Sequence, residues 1–274
     1  MKTRHRGKYD PTNENPYELS RSKVENFLKC EACFWLERVK GVHFPGIPNF
    51  NLNINTDTLL KRDFNKYRGK GPHPFMVDNG LKDLRPFQHE DMIFWERSMQ
   101  FGLNDHHFNV VHQPTNIRFG GGLDDAWENI KTGKLHIVDY KSTANLSADP
   151  EPVNLEGNWK KAYKRQMDMY QWVMRGKGFE VDNLGYFLYV DGQHKDIEGM
   201  IEQDTSKAKM IFNTSLLTYE GDDSWVEEAL FEIKDCLNKT VCPDHAVTGF
   251  GMRGDKPCEF SHMFEEMKAS GIQL

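Results

Sequence analysis

The sequence predicts an α/β fold in which a small mixed β-sheet is flanked by helices. Short runs such as 135–141 and 185–190 are rich in aromatic and branched residues and have the length of strands. Longer stretches such as 159–175 carry apolar residues every three or four positions, which is the spacing of an amphipathic helix. Strands and helices that alternate along a chain are typical of a sheet with helices packed on its faces.

The predicted elements follow a first segment, residues 1–19, which we expect to be a flexible arm. Residues 20–274 are expected to form a single domain. In chain order we predict helices over 20–40, 56–68 and 90–101, a β-hairpin over about 109–141, a helix over 159–175, strands over 185–190 and 212–219, and a helix over 225–237. The intervening segments 41–55 and 69–86 are rich in glycine and proline, which interrupt regular structure.

Composition excludes several classes of protein. The chain has 274 residues, 38% of them hydrophobic, and a formal net charge of −6. Its length supports one sizeable core, and its negative charge argues against a protein that coats nucleic acid through a broad basic surface. No run approaches the ~20 apolar residues of a membrane helix, and no apolar stretch follows the basic N-terminus as in a secretory signal. We therefore expect a cytoplasmic protein without a membrane partner.

Two acidic residues and a lysine stand near the ends of the predicted hairpin strands. Asp139 and Lys141 share one face of the strand 135–141 because side chains alternate, and their neighbours face the core. Asp124 follows a glycine cluster upstream, so Asp124 and Asp139 are expected on adjacent antiparallel strands. Two carboxylates suit Mg²⁺, and a lysine can orient a water or offset charge during attack on a phosphodiester. The alternative is a charged pair on an exposed edge strand.

The predicted helix over 159–175 carries a glutamine on its otherwise apolar face. Gln166 lies one turn before Tyr170 on the side that should pack against the sheet. A buried amide without a hydrogen-bond partner is costly, so we expect Gln166 to reach a nearby polar site or a backbone group.

Three motifs in chain order carry a family resemblance. They are Gly121-Gly122-Leu123-Asp124, Ile137-Val138-Asp139-Tyr140-Lys141 and Gln166-Met167-Asp168-Met169-Tyr170. The set resembles the G-x-x-D, D-x-K and Q-x-x-x-Y motifs of the RecB-like branch of the PD-(D/E)XK nuclease superfamily, which includes CRISPR-adaptation and RecB-type exonucleases. The resemblance implies a restriction-endonuclease-like α/β core, Mg²⁺ or Mn²⁺ at the sheet edge, and DNA as the substrate class.

The resemblance also implies a role for each matching residue. Asp124 and Asp139 would be metal ligands, and Lys141 would be catalytic. Gln166 and Tyr170 would support the site or touch DNA.

Two further acidic residues, Asp125 and Asp57, are candidates for the same site. A one-residue shift in strand register would exchange Asp125 for Asp124, but the spacing from Gly121 in the family motif favours Asp124. Many RecB-like nucleases carry a metal-binding histidine on a helix before the first strand, and Asp57 stands about where that histidine is expected. Asp57 either supplies a carboxylate ligand or, together with Thr56, caps the helix.

The cysteines raise the question of a second metal site. The chain has five: Cys30, Cys33, Cys236, Cys242 and Cys258. In RecB-like relatives with an iron–sulfur cluster, one N-terminal cysteine joins three near the C-terminus to hold [4Fe-4S], which ties the chain ends together. Nothing in the sequence indicates secretion, so disulfides are not expected.

The cysteines here match that ligand set incompletely. The candidate ligands are Cys30, Cys33 and Cys258. Ser261 stands where a second cysteine would complete a C-x-x-C pair, so the fourth ligand is Ser261 or another residue. Zinc bound by cysteine and histidine is a second interpretation, with His245 and His262 nearby, and a set of reduced, unliganded thiols is the third.

Two groups of basic residues flank the predicted site. They are Lys61, Arg62, Lys66, Arg68 and Lys70, and Lys160, Lys161, Lys164 and Arg165. Either group is a rim for DNA or a solvated helix face. Trp159 and Tyr163 either stack on the bases of a single strand or pack in the core.

Taken as a set, these features predict a metal-dependent deoxyribonuclease of DNA repair, recombination or defence. The expected partners are DNA, including single strands, and other proteins of a repair or defence complex. The alternative is a non-catalytic nucleic-acid-binding domain of the same fold within a larger complex.

Overall fold

Two mixed β-sheets and the helices around them form the core of the computed structural model, which describes residues 4–45, 50–97, 104–145, 147, 151–251 and 253–271. The strands are β1 (Tyr17–Ser20), β2 (Leu84–Pro86), β3 (Asn109–His112), β4 (Ile117–Gly120), β5 (Asp125–Asn129), β6 (Leu135–Thr143), β7 (Leu184–Gly192) and β8 (Phe212–Glu220). The helices are α1 (Arg21–Lys29), α2 (Glu31–Trp35), α3 (Asn51–Asn65), α4 (Pro74–Asp78), α5 (Met92–Trp95), α6 (Lys161–Gly176), α7 (Val226–Asn238) and α8 (Ser261–Ala269), with a π-helical turn over Leu36–Lys40 and a 3₁₀ turn over Asn158–Lys160.

The larger sheet has the order β2-β5-β6-β7-β8, in which β6 and β7 are parallel and the other neighbours are antiparallel. The smaller sheet has the order β1-β4-β3, with β1 parallel to β4. Helices flank both sheets, so the predicted α/β class with a mixed sheet is confirmed. The parallel β6–β7 pair needs a long crossover, which α6 supplies.

The strand predicted upstream of the turn is divided between the two sheets. β4 pairs with β1 and β3, whereas β5 pairs with β6, and residues 121–124 carry the chain from one sheet to the other. A glycine is needed at the start of this crossing, because a Cβ atom on Gly121 would lie 2.5 Å from the Tyr170 hydroxyl oxygen.

The expectation of a flexible arm over 1–19 is wrong for the described residues from 4 onward. Tyr17 is 1% exposed and Leu19 is fully buried, because β1 adds a strand to the smaller sheet. The rings of His5 and Tyr9 pack against Tyr17, with centroid distances of 4.7 and 5.1 Å. The packing of these aromatic rings and the pairing of β1 with β4 hold the segment against the fold.

Several helices differ from prediction. The predicted helix over 20–40 is interrupted at Cys30, whose backbone is extended, and forms α1, α2 and the π-helical turn instead. Helix α3 begins five residues before the predicted start, inside the predicted loop 41–55, and α4 and β2 lie within the predicted loop 69–86. The predicted helix over 90–101 is a single turn, α5, and its last residues lie outside the described part of the chain. In those described ranges, no helix combines the length and apolar character needed to cross a membrane.

The larger sheet separates two hydrophobic clusters. Val138 and Tyr140 of β6 pack into the smaller cluster, together with Phe64 of α3 and Trp127 of β5. The larger cluster includes Ile137 of β6 and apolar residues of α6 and α7. The side-chain alternation predicted for β6 is therefore present, and it directs Asp139, between Val138 and Tyr140, to the opposite face of the sheet.

Candidate functional site

Asp139, Lys141 and Asp124 meet beside the second half of β6. Asp139 is 1% exposed and forms an ion pair with the Lys141 ammonium. Asp124 stands just before β5, and its Oδ2 accepts a hydrogen bond of 3.0 Å from the backbone N–H of Tyr140. That bond holds the Asp124 carboxylate against β6, at the residue between Asp139 and Lys141. The three residues predicted from the hairpin are thus brought together.

Asp125 points away from this site and has a structural role. It is fully buried and pairs with Arg68, whose Nη1 lies 2.8 Å from Asp125 Oδ1. The Tyr140 hydroxyl donates a 2.7 Å hydrogen bond to Asp125 Oδ2. Adjacent residues of a strand face opposite sides, so the buried ion pair of Asp125 leaves Asp124 as the carboxylate on the site's side.

Helix α6 supplies the support for Asp139. Gln166 is buried, and its Nε2 donates a 2.7 Å hydrogen bond to Asp139 Oδ1. Tyr170, one turn later, is also buried and lies against Gly121, where its ring packs edge-on to Phe108. Gln166 therefore touches a site carboxylate directly, while Tyr170 supports the glycine segment that leads to Asp124.

A cavity of about 270 Å³ opens between α3 and β6 at this point. Its lining includes Asp57, Asp124, Lys141 and Tyr163. The two elements are held together by a 2.9 Å hydrogen bond from the Thr56 hydroxyl to that of Ser142, together with packing of α3 on the sheet. The cavity is large enough for a phosphate group.

Asp57 lies in the second turn of α3, so neither it nor Thr56 caps the helix as one interpretation held. The Lys61 ammonium lies between two acids, 3.0 Å from Asp57 Oδ2 and 3.4 Å from Asp124 Oδ1. Asp57 Oδ1 is buried and accepts no hydrogen bond from any described residue. The Lys61 ammonium therefore links the carboxylate of Asp57 to that of Asp124 in the lining of the cavity.

The charges of the site shift the pKa values of its acids in opposite directions. Burial raises the pKa of Asp139 to about 7, and the charge of Asp124 adds to this although Lys141 opposes it. Burial acts in the same direction on Asp124, but the charges of Lys61 and Lys141 outweigh it and lower the pKa of Asp124. Burial and the charge of Asp124 raise the pKa of Asp57. Burial thus favours the neutral form of Asp139, while the two lysines favour the charged form of Asp124.

Some of the basic residues predicted to form a rim make contacts within the protein instead. Lys160 is buried, donates a 2.8 Å hydrogen bond to the Tyr189 hydroxyl, and has its pKa lowered to about 8 by burial and by the charge of Lys141. Arg165 forms a two-pronged ion pair with Glu25 of α1. Lys160 and Arg165 therefore join elements of the fold through contacts of their charged groups.

A second group of metal-ligand side chains lies at the junction of α1 and α2. Within the described ranges it is the one set of three or more cysteine, histidine and acidic residues whose ligand atoms lie close enough together to hold a metal ion, all within 4.8 Å of one another. The set is Cys30, Cys33, His245 and Cys258. This cluster could bind a metal such as Zn²⁺.

Two ligands considered from the sequence do not belong to this group. The Ser261 hydroxyl donates a 2.7 Å hydrogen bond to the backbone carbonyl of Cys258, at the start of α8. His262 has an 80% exposed side chain and pairs with Glu266. His245 takes the fourth place, although the sequence alone gave no spacing that would select it over His262.

No protein-family model, curated protein or solved structure matches this chain. The function is therefore argued from the geometry of the two sites.

Proposed function

We propose that this protein is a metal-dependent DNA nuclease of the RecB-like PD-(D/E)XK type, which hydrolyses phosphodiester bonds. The proposal depends on one observation: Asp124 and Lys141 line the same cavity, and Lys141 forms an ion pair with the buried carboxylate of Asp139. The hydrogen bond from Gln166 to Asp139 adds support, because a buried side-chain amide there orients a single carboxylate. A domain that only binds nucleic acid has no need of two neighbouring carboxylates that repel the phosphate backbone.

Asp124 and Asp139 would hold Mg²⁺ or Mn²⁺, and Asp57, whose oxygens do not lie at ligand distance from both of theirs, would stand outside the direct ligands of the ion. Mg²⁺ is often bound by one or two carboxylates and keeps several waters, which suits this donor set. The bound cation would lower the pKa of a water and offset negative charge on the phosphate under attack. Lys61, between Asp57 and Asp124, limits the repulsion among the carboxylates.

Lys141 is the residue that we assign to the reacting groups. Its ammonium lines the cavity, is held by the ion pair with Asp139, and lies 4.7 Å from the centre of the Tyr163 ring. From there it can donate a hydrogen bond to the attacking water or to a phosphate oxygen. Gln166 acts through Asp139 and is a positioning residue.

The proposal is tested by cleavage of end-labelled linear DNA and of circular single-stranded DNA in Mg²⁺, Mn²⁺ or EDTA. We expect cleavage with either cation and none in EDTA, and the circular substrate distinguishes an endonuclease from an exonuclease. The change Asp124→Asn should reduce the rate at least about 100-fold, because it removes one charged ligand. Asp63→Asn is the control, since Asp63 also lies on α3 but is 55% exposed and pairs with Lys66, one turn along the same helix.

Wild-type protein that cleaves neither single- nor double-stranded DNA with either cation would contradict the proposal. DNA binding without cleavage in that experiment would favour the non-catalytic alternative.

Trp159 offers a separate prediction about single strands. Its side chain is 55% exposed, lies 5.6 Å from the ring of Tyr163, and carries the Lys160 ammonium 4.0 Å from its ring centre. Tyr163 lines the cavity of the proposed active site, so Trp159 stands at its edge. Stacking of one base on an aromatic ring contributes roughly 1–3 kcal/mol, so Trp159→Ala should weaken binding of a single-stranded oligonucleotide about 10-fold.

Fluorescence anisotropy of a labelled oligonucleotide in EDTA measures this affinity without cleavage. Phe231→Ala is the matched control, because Phe231 is an exposed aromatic residue on α7 that packs against His112. Equal affinities of wild type and Trp159→Ala would show that Trp159 does not stack on DNA.

A further inference from the structure

The thiol and imidazole group has the dimensions of a single-ion site. The Cys33 and Cys258 sulfurs are 3.3 Å apart, and His245 Nδ1 lies 3.6 Å from Cys30 Sγ and 3.7 Å from Cys33 Sγ. Zinc–sulfur and zinc–nitrogen bonds in a tetrahedral site place neighbouring ligand atoms about 3.5–3.8 Å apart. The observed separations are therefore close to the edges of a tetrahedron around one ion.

The [4Fe-4S] cluster that the family resemblance implies does not fit this group. Such a cluster places a cube of iron and sulfide between its thiolate ligands, which must then stand well beyond tetrahedral edge distances. Here all four ligand atoms lie within 4.8 Å of one another, and one of them is an imidazole nitrogen. The ligand set also differs, because two ligands come from the N-terminal segment and only one cysteine comes from the C-terminal segment.

The surroundings of the group are those of an organised metal site. The backbone N–H of Ala246 donates to Cys30 Sγ at 3.5 Å, and the His245 ring stacks on Phe264 at a centroid distance of 5.2 Å. Such contacts orient the ligands before the ion binds. Cys30 and Cys258 are 2% and 1% exposed, which protects a bound ion from exchange. A neighbouring cavity that reaches Cys30 and Cys33 provides an entry path.

We propose that Cys30, Cys33, His245 and Cys258 bind a single zinc ion in a tetrahedral structural site. The four ligands join the α1–α2 junction to the segment that precedes α8, across more than 200 residues of sequence. The hydrophobic cluster formed there by buried Cys30, Ala32 and Cys258 is small, so the ion would supply stability that packing does not. All four protein positions are filled, which is typical of a structural site rather than a catalytic one.

The site also braces the helix that supports the proposed active site. Glu25 of α1 is 4% exposed and forms the two-pronged ion pair with Arg165 of α6. Arg165 is the immediate neighbour of Gln166, which bonds to Asp139. The zinc site fixes the C-terminal end of α1 through Cys30, so the ion would stabilise the α1–α6 contact.

The test measures zinc, iron and acid-labile sulfide in the purified full-length chain. We expect about one zinc per chain and no stoichiometric iron or sulfide. His245→Ala and Cys258→Ser should each weaken zinc binding by more than about 100-fold, as measured by competition with a chromogenic chelator. The controls are His262→Ala and Cys236→Ala, which remove a nearby imidazole and a nearby thiol outside the group and should keep the zinc.

Cobalt substitution of the wild-type protein keeps the proposal testable if a ligand variant does not fold. Co²⁺ in a site with three thiolates gives sulfur-to-metal charge-transfer bands and intense visible bands of a tetrahedral ion. Stoichiometric iron with sulfide, a metal-free chain that takes up no cobalt, or a Cys33–Cys258 disulfide in the isolated protein would each overturn the proposal. None of these readouts uses DNA cleavage, so they are independent of the proposed nuclease activity.

Discussion

Replacing Lys141 by alanine is expected to reduce DNA cleavage about 1000-fold, because a charged donor aimed at the reacting groups is lost from a partly buried site. Lys141 has a side chain that is only 15% exposed and directed into the cavity beside Asp139. The fold should be retained, because Asp139 keeps its hydrogen bond from Gln166 and its raised pKa allows it to become neutral. Affinity for DNA should fall only slightly, since one phosphate contact among several is removed.

The measurement is single-turnover cleavage in Mn²⁺ with a parallel measurement of DNA affinity in EDTA. Lys134→Ala is the control, because Lys134 lies just before β6, is 48% exposed and faces Asp182 far from the cavity. Retention of half of the wild-type rate by Lys141→Ala would remove Lys141 from the proposed catalytic residues. A parallel loss of thermal stability would instead indicate a structural role.

Replacing Gly120 by alanine is expected to lower the free energy of unfolding by about 3 kcal/mol or more, because the backbone itself blocks the new methyl group. A Cβ atom on Gly120 would lie 2.1 Å from the Phe108 carbonyl oxygen and 2.7 Å from Asn109 Cα. Gly120 is in the central strand β4, paired on one side with Ser20 and on the other with Asn109. Neither neighbour can withdraw without breaking the smaller sheet.

Thermal unfolding should show this as a fall in Tm of roughly 6–12 °C for a chain of this size. Gly71→Ala is the matched control, since a Cβ atom at Gly71 meets nothing within 4 Å and the backbone there has no left-handed conformation. That change should leave Tm nearly unchanged or raise it slightly, by restricting the unfolded chain. Equal Tm values for the two variants would show that β4 can shift to admit a side chain.

Local rules were sufficient for the part of the site that lies on β6 and α6. Side-chain alternation on β6 places Asp139 and Lys141 on one face, and helical spacing places Gln166 on the face of α6 that meets it. The contact between Gln166 and Asp139 follows from the cost of burying an amide without a partner. These inferences depend on residues within one element or on a single parallel crossover.

Local sequence rules did not predict the features of the fold and site that depend on elements far apart in the sequence. The position of Asp57 within α3 depends on where the helix begins, and α3 starts five residues before the predicted start, through residues 51–55, whose side chains are exposed. The flexible arm was a wrong prediction because the partner of β1 is β4, about 100 residues away. The choice of His245 over His262 has the same origin, since no local pattern distinguishes the two histidines.

By itself, therefore, the sequence determined the α/β class, the strand and helix that carry Asp139, Lys141 and Gln166, and the cysteines that could bind a metal. Only the tertiary structure decided that Asp124 faces the cavity while Asp125 is buried with Arg68, and that His245 completes the thiol group. The physical reason is that periodicity fixes the direction of a side chain within one element. Which side chains meet is decided by the packing of elements whose contacts span most of the chain.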